Sequence, residues 1–118
     1  MPTEPMPTEP MLTRSADVTP VPALPGISRR TLSWGERTLL AEFTMAKGSA
    51  IPPHSHPHEQ TGYVARGRLD FTVGSARAVL EAGDAYSIPG GTVHAVIALE
   101  DSVAVDVFSP VREEYKPG

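Results

Sequence analysis

Imidazole side chains are concentrated at two places in the chain. His54, His56 and His58 lie within five residues of one another, and His94 is the fourth and last histidine. In a strand, His54 and His56 would point to the same face, so that the pair presents two imidazoles to one ion. His94 is the candidate for a third imidazole. Such a set suits a divalent transition metal (Fe, Mn, Ni, Zn or Cu). The alternative is a group of surface histidines in a proline-rich loop.

A carboxylate interrupts the most apolar run of the chain, at residues 102–108. Asp106 is expected to share a strand face with Ala104 and Phe108, while three valines take the other face. An ionised carboxylate there costs free energy unless it has a partner or a function. Arg112 follows shortly after the run and could pair with Asp106, or bind a substrate carboxylate through two parallel hydrogen bonds. Both possibilities are open at this point.

The hydrophobic pattern of the segments that must position these residues has a period of two residues. Apolar residues alternate with polar ones through residues 39–45 and 68–73, and in the third run three valines alternate with Ala104, Asp106 and Phe108. Glycine-containing turns separate the runs. Alternation of this kind lines one face of a strand, whereas no stretch has the pattern of a three-turn amphipathic helix. Many short strands in about 90 residues are typical of a sandwich or barrel. The sequence therefore predicts an all-β fold.

Composition excludes several classes of protein. The chain has 118 residues, which suits one domain, and a net charge of -4, which disfavours a nucleic-acid binder. No apolar run approaches the length of a transmembrane helix, and no secretory signal is visible, so we expect no membrane partner and a cytoplasmic protein. Cysteine is absent, which rules out thiolate ligands and cysteine nucleophiles.

The N-terminal region differs from the rest in composition. Residues 1–5 read MPTEP and residues 6–10 repeat them, and seven of the thirteen prolines fall in the first 25 residues. Proline fixes φ and removes a backbone donor, which excludes this stretch from helix interiors and central strands. We therefore predict a proline-rich extension at residues 1–26 and a folded domain at residues 27–118.

The two histidine segments resemble the two motifs of the cupins. In the first segment five residues separate Gly48 from His54, three separate His56 from Gln60, and Gly67 closes it. In the second, which begins fifteen residues later, a Pro-Gly-Gly turn precedes His94. The resemblance covers roughly residues 38–112. It implies a double-stranded β-helix, a jelly-roll barrel, with a metal inside its mouth.

The chain departs from the cupin motifs at two positions. Gln60 stands at the usual Glu of the first motif, and Ala98 at the usual Asn of the second. Glu59 is one residue early and would point to the other face of a strand, so Gln60 is favoured as fourth ligand, with Glu59 as the alternative. A neutral ligand set leaves the ion's charge uncompensated, which favours an anionic ligand and mildly disfavours oxygenase chemistry. His58 is expected outside the ligand set.

Residues 106–112 look like the C-terminal signature of the pectin-degradation cupins, which open and ketonise 4,5-unsaturated uronates from pectin and alginate. In that family three histidines and a glutamine hold the metal, which implies the ligands His54, His56, Gln60 and His94. The family's catalytic Asp, aromatic Phe and substrate-binding Arg fall on Asp106, Phe108 and Arg112. The resemblance therefore implies a divalent transition metal, catalytic roles for Asp106 and Arg112, and a small sugar-acid substrate bound by Arg112 and Phe108.

Two other functions fit the same residues. One is a metal-binding cupin that acts as a small-molecule sensor or binding protein, and the other is a metal-dependent dioxygenase. A domain of this size has a thin core, and the strand at residues 103–108 is apolar on both faces. We therefore also expect a homodimer.

Overall fold

The computed structural model describes residues 9–117 as two antiparallel sheets. One sheet has six strands in the order β1-β2-β3-β10-β5-β8, and the other has four in the order β4-β9-β6-β7. The strands are β1 Val21–Leu24, β2 Ile27–Trp34, β3 Leu39–Met45, β4 Ala50–His54, β5 Glu59–Arg66, β6 Arg68–Val73, β7 Ala76–Glu81, β8 Ala85–Ile88, β9 His94–Ala98 and β10 Ser102–Ser109. Within these residues the only helical elements are short 3₁₀ turns at Ser15–Asp17 and Glu113–Tyr115. The all-β prediction is confirmed.

The alternating residues of the central strands form the core. In β3 the side chains of Leu39, Ala41, Phe43 and Met45 are buried, and they join Leu69 and Phe71 of β6 in one apolar cluster. The predicted assignment of β10 residues to a buried and a more exposed face is also confirmed. Its residues Ala104, Asp106 and Phe108 are buried, whereas the three valines between and beside them are more exposed.

Pairing in the six-stranded sheet lines up two rows of inward-facing residues. Tyr86 of β8 lies opposite Gly62 of β5, which in turn lies opposite Asp106 of β10. Two residues along each strand, Ile88, Gln60 and Phe108 form the next row. Because successive inward side chains are two residues apart, the two rows are neighbours on one sheet face.

The first strand of the sheet precedes residue 27. β1 pairs with β2 at the edge of the sheet, and its Pro22 removes no hydrogen bond from a central ladder. Arg30 of β2 donates from Nη1 to the carbonyl of Ser15 at 2.8 Å, which ties the preceding 3₁₀ turn to the sheet. Residues 1–8, which hold most of the doubled pentapeptide, lie outside the described residues.

The C-terminal segment folds back over one end of the barrel. Val111 is buried, and the hydroxyl of Thr31 donates to the carbonyl oxygen of Tyr115 at 2.6 Å. The Tyr115 ring packs edge-on against Phe43 and Phe108, with centroid distances of 6.1 and 5.4 Å. This closure holds residues 111–115 beside the barrel interior. None of the helical elements in residues 9–117 is long and apolar enough to cross a membrane.

Candidate metal centre and adjoining cavity

Three of the four histidines converge at the mouth of the barrel. His54 ends β4 and His94 begins β9, and the two residues are cross-strand partners. His56 lies in the connection to β5 and brings its ring centroid to 4.9 Å from that of His94. One ring nitrogen of each of these three residues lies within 4.8 Å of the others. Within residues 9–117 these three side chains form the group that could hold a metal ion, as the sequence motifs predicted.

Each of the three rings is held by a backbone carbonyl at its Nδ1 atom. His54 Nδ1 lies 2.9 Å from the oxygen of Pro52, His56 Nδ1 lies 3.0 Å from that of His58, and His94 Nδ1 lies 2.8 Å from that of Thr92. A carbonyl only accepts, so the hydrogen-bond network assigns the proton to Nδ1 and leaves a lone pair on Nε2. This arrangement is the usual support for metal-ligating histidines.

The Nε2 atoms point to where a cation would sit. His94 Nε2 is buried and has no hydrogen-bond partner among the described residues. His56 Nε2 lies 3.1 Å from Oε1 of Gln60, and with the tautomer assigned above both atoms are acceptors. Neighbouring ligands of one ion, each about 2.1 Å from it, lie about 3 Å apart. These donor atoms therefore fit a divalent transition metal.

Gln60 joins the histidines to the buried carboxylate. Its side chain is 8% exposed and lies beside the carboxyl group of Asp106, whose pKa it lowers. Because a carboxylate accepts, the amide NH₂ faces Asp106 and the amide oxygen faces His56. Glu59, the alternative ligand, is exposed and points away from this face.

The fourth histidine has a supporting position. His58 is absent from the convergent group, but its backbone carbonyl accepts the Nδ1 hydrogen of His56. Its own Nδ1 is buried without a partner among the described residues. Its place agrees with the expectation that it lies outside the ligand set.

Burial keeps the histidines in the form that binds a metal. Desolvation lowers the pKa of His56, and the nearby Arg112 charge lowers it further. Desolvation likewise lowers the pKa of His94. At neutral pH both rings are therefore uncharged, and no proton has to be displaced from Nε2.

Asp106 is the buried acid of the site. It is 4% exposed, and the hydroxyl of Tyr86 donates to its Oδ1 at 2.6 Å. Burial raises the pKa of Asp106 to about 6, against opposing hydrogen bonds from Tyr86 and Gln60. Burial also raises the pKa of Tyr86, so this hydroxyl keeps its proton. A carboxyl group that titrates near neutrality suits proton transfer in either direction.

Arg112 has a different partner from the one considered above. Its guanidinium donates from Nη2 and Nε to Oε2 of Glu114 at 2.9 and 3.2 Å, and Asp106 receives the Tyr86 hydroxyl instead. The guanidinium carbon lies 4.1 Å from the centroid of Tyr115 and 5.0 Å from that of Phe108. Aromatic contacts therefore position this cation at the site.

A cavity of about 360 Å³ connects these groups. It is lined by metal-centre residues (His54, Gln60, His94), by Asp106, Phe108, Arg112, Tyr86 and Tyr115, and by an apolar remainder that includes Met45 and Leu69. A larger depression of about 760 Å³ beside β1 is lined by none of the histidines and by neither Asp106 nor Arg112. The smaller cavity is the one that joins a metal centre, an acid and a cation.

Sequence patterns missed a second cation in this cavity. Arg29 of β2 lines it, and its guanidinium carbon lies 4.1 Å from the Tyr115 centroid, the same distance as that of Arg112. The two guanidinium groups therefore contact the same aromatic ring. Arg29 Nε is buried and has no hydrogen-bond partner among residues 9–117. The available signal was its position two residues after Ile27, the buried residue of β2, on the same face of the strand.

Comparisons with known proteins agree with this geometry. A sequence profile of the cupin domain matches residues 41–109. Pectin degradation protein KdgF of Dickeya dadantii (strain 3937) is 35% identical over 92 residues, covering 76% of this chain and 84% of that protein. The structure of KdgF from Halomonas sp. matches with a TM-score of 0.88 at 28% identity, covering 92% of this chain and 100% of that one. An RmlC-like cupin from Shewanella frigidimarina NCIMB 400 matches with a TM-score of 0.88 at 24% identity, over 94% of this chain and 100% of that one.

Proposed function

Because this chain belongs to the cupin family, we propose that it is a metal-dependent enzyme that opens and ketonises 4,5-unsaturated uronates. The jelly-roll fold and the resemblance to the pectin-degradation cupins are both confirmed. The reaction, the metal and the roles of individual residues are the proposal. The observation that carries it is the side chain of Gln60, which joins the histidine centre to a buried carboxyl group in one cavity.

The metal would be held by the imidazoles of His54, His56 and His94 and by the amide oxygen of Gln60. When bound, a divalent ion supplies Lewis-acid polarisation of a substrate oxygen. All four ligands are neutral, so the charge of the ion is not cancelled by the protein. That charge and the cations of the cavity favour an anionic substrate.

The substrate carboxylate binds to Arg112. A guanidinium binds a carboxylate through two parallel hydrogen bonds, and Phe108 and Tyr115 already hold this one in place. Its present partner, Glu114, is 57% exposed, so a substrate carboxylate displaces it at little cost. Arg29 supplies a second cation within reach of the same substrate.

The reaction rearranges protons without adding or removing an atom. Ring opening moves the proton of the C1 hydroxyl to the ring oxygen, which breaks the bond from C1 to that oxygen and leaves an aldehyde and an enol at C5. Ketonisation then moves the proton from the enol oxygen to C4. Asp106 carries the proton in both steps: it takes the proton from the C1 hydroxyl and delivers it to the ring oxygen, and then takes the enol proton and delivers it to C4. Its pKa of about 6 suits acceptance and delivery alike.

The apolar lining of the cavity supports this proton transfer. Phe108 is 1% exposed and packs beside His56 with a centroid distance of 5.8 Å. It covers the side of the cavity next to Asp106, which lies two residues away on the same strand face. Water is thereby kept from the carboxyl group, and the proton passes to the substrate.

The experiment that tests this function follows the ultraviolet absorbance of an unsaturated galacturonate monomer. Loss of absorbance that is faster than the spontaneous rate, stops with a chelator and consumes no oxygen supports the proposal. Oxygen uptake coupled to substrate loss would instead identify a dioxygenase. Saturable binding of the uronate without turnover, in metal-loaded protein, would identify a sensor or binding protein.

A further inference from the structure

Tyr86 reaches across a neighbouring strand to contact the buried acid. Tyr86, Gly62 and Asp106 occupy one row on strands β8, β5 and β10, so that Gly62 separates the two larger residues. The Tyr86 hydroxyl nevertheless lies 2.6 Å from Oδ1 of Asp106. Residues two strands apart do not normally touch through a filled row, and here the middle position is a glycine.

The absence of a side chain at Gly62 makes this contact possible. A Cβ atom built on Gly62 would overlap both the ring of Tyr86 and Oδ1 of Asp106. Gly62 does not have a positive φ, so its backbone conformation does not require glycine. Glycine is required because a side chain at this position would overlap its neighbours. Glycine in a strand interior often marks such a close approach.

The Tyr86 ring is fixed from its other side as well. It packs against Phe71 of the opposite sheet with a centroid distance of 4.2 Å and an interplanar angle of 35°. The Tyr86 hydroxyl donates its one hydrogen to Oδ1. Because the Tyr86 ring is fixed, this hydrogen bond also fixes the orientation of the Asp106 carboxyl group. The second oxygen, Oδ2, does not accept from Tyr86 and is the oxygen that would meet a substrate.

We propose that Tyr86 is a positioning residue for Asp106, and that Gly62 provides the slot through which it acts. This inference rests on the proposed function, because the positioned carboxyl group is the proposed proton carrier. Tyr86 does not itself exchange a proton with the substrate. It holds one carboxylate oxygen so that the other lies in line with the atoms between which the proton moves.

The test is Tyr86→Phe, which removes the hydroxyl and keeps the ring. Misplacing a catalytic group by a fraction of an ångström lowers kcat, and we expect a fall of about tenfold to a hundredfold. KM should stay within about twofold, because the cations that bind the carboxylate are unchanged. Metal content should stay at the wild-type value. The matched control is Tyr63→Phe, on the exposed face of β5 and half exposed, which should keep both constants.

A double-mutant cycle separates positioning from a general loss of structure. In the Asp106→Asn background, Tyr86→Phe should lower the residual kcat no further, since there is no proton carrier left to orient. An equal, multiplicative loss in both backgrounds would overturn the proposal. A wild-type kcat in Tyr86→Phe, with wild-type enzyme active, would overturn the positioning role and leave the function standing. No turnover by metal-loaded wild-type protein would refute the function itself, and with it the catalytic consequence drawn here.

Discussion

Replacing Asp106 by Asn should remove most of the turnover, leaving a small residual rate, and yet stabilise the metal-free protein. Burial raises the pKa of this carboxyl group from 3.8 to about 6, a difference of about 2 units. Each unit corresponds to 1.36 kcal/mol, so the ionised group destabilises the fold by up to about 3 kcal/mol above both pKa values. Asparagine carries no charge and keeps an acceptor oxygen for Tyr86. For a domain of this size the gain corresponds to a rise in Tm on the order of 10 °C.

The sign of the effect fixes its pH dependence. Since the folded pKa of Asp106 is above the unfolded one, the folded state holds the extra proton between about pH 4 and pH 6. Stability from this group is therefore full below about pH 4 and is lost as the pH rises through about 6. Wild-type protein and Asp106→Asn should match near pH 4 and diverge up to about pH 7. The lowered pKa values of His56 and His94 affect both proteins alike and cancel in the difference.

The assay is urea unfolding of chelator-treated protein at a series of pH values, followed by the fluorescence of Trp34, the one tryptophan. The matched control is Asp70→Asn. A hydrogen bond from Arg77 lowers the pKa of Asp70, so removing that charge should not stabilise the protein at neutral pH. A free-energy difference for Asp106→Asn that does not change with pH, or a variant less stable than wild type near pH 8, would refute the reasoning. Metal content and turnover of the same variant then show whether the site is intact but inactive.

Three further substitutions divide the site into its parts. His94→Ala removes a ligand and should weaken metal binding by more than about 100-fold, as measured by metal content after dialysis. The control His58→Ala should retain the metal, because the imidazole of His58 is outside the convergent group and the carbonyl that holds His56 belongs to the backbone. Arg112→Ala should raise KM for the uronate by about tenfold or more with a smaller effect on kcat, and an unchanged KM would remove it from substrate binding. Arg29→Gln should raise KM in the same direction, because it removes the second cation from the cavity; kinetics identical to wild type would exclude Arg29 from substrate recognition.

Features set by local pattern could be predicted from the sequence. Alternation in β3, β6 and β10 predicted their buried faces, because neighbours two residues apart on a strand share a face whatever the rest of the fold does. The same rule placed Gln60 on the buried face of its strand and Glu59 on the exposed face. The convergence of His54, His56 and His94 followed from the spacing of two motifs and their resemblance to those of the cupins.

Features set by strand order could not be predicted in this way. The contact between Tyr86 and Asp106 depends on β8 and β10 flanking β5, and on the register that places Gly62 between them. Nothing local to any of the three strands specifies that order. Arg112 and Glu114 pair within the C-terminal closure, whose path depends on packing of Tyr115 against the barrel. Strand β1 was not predicted, because its prolines led us to place it in the N-terminal extension. It forms because it lies at the edge of the sheet, where a proline removes no hydrogen bond from a central ladder.

The most direct test of the central claim is a metal titration of turnover. Metal-free protein is given increasing amounts of one divalent transition metal, and the rate of absorbance loss from unsaturated galacturonate is measured at each step. The rate should rise with added metal and level off at one ion per chain. In the Asp106→Asn variant at full occupancy it should fall close to the spontaneous rate, with only a small residual acceleration. Acceleration by metal-free protein, or no acceleration by wild-type protein that holds one ion per chain, would contradict the claim.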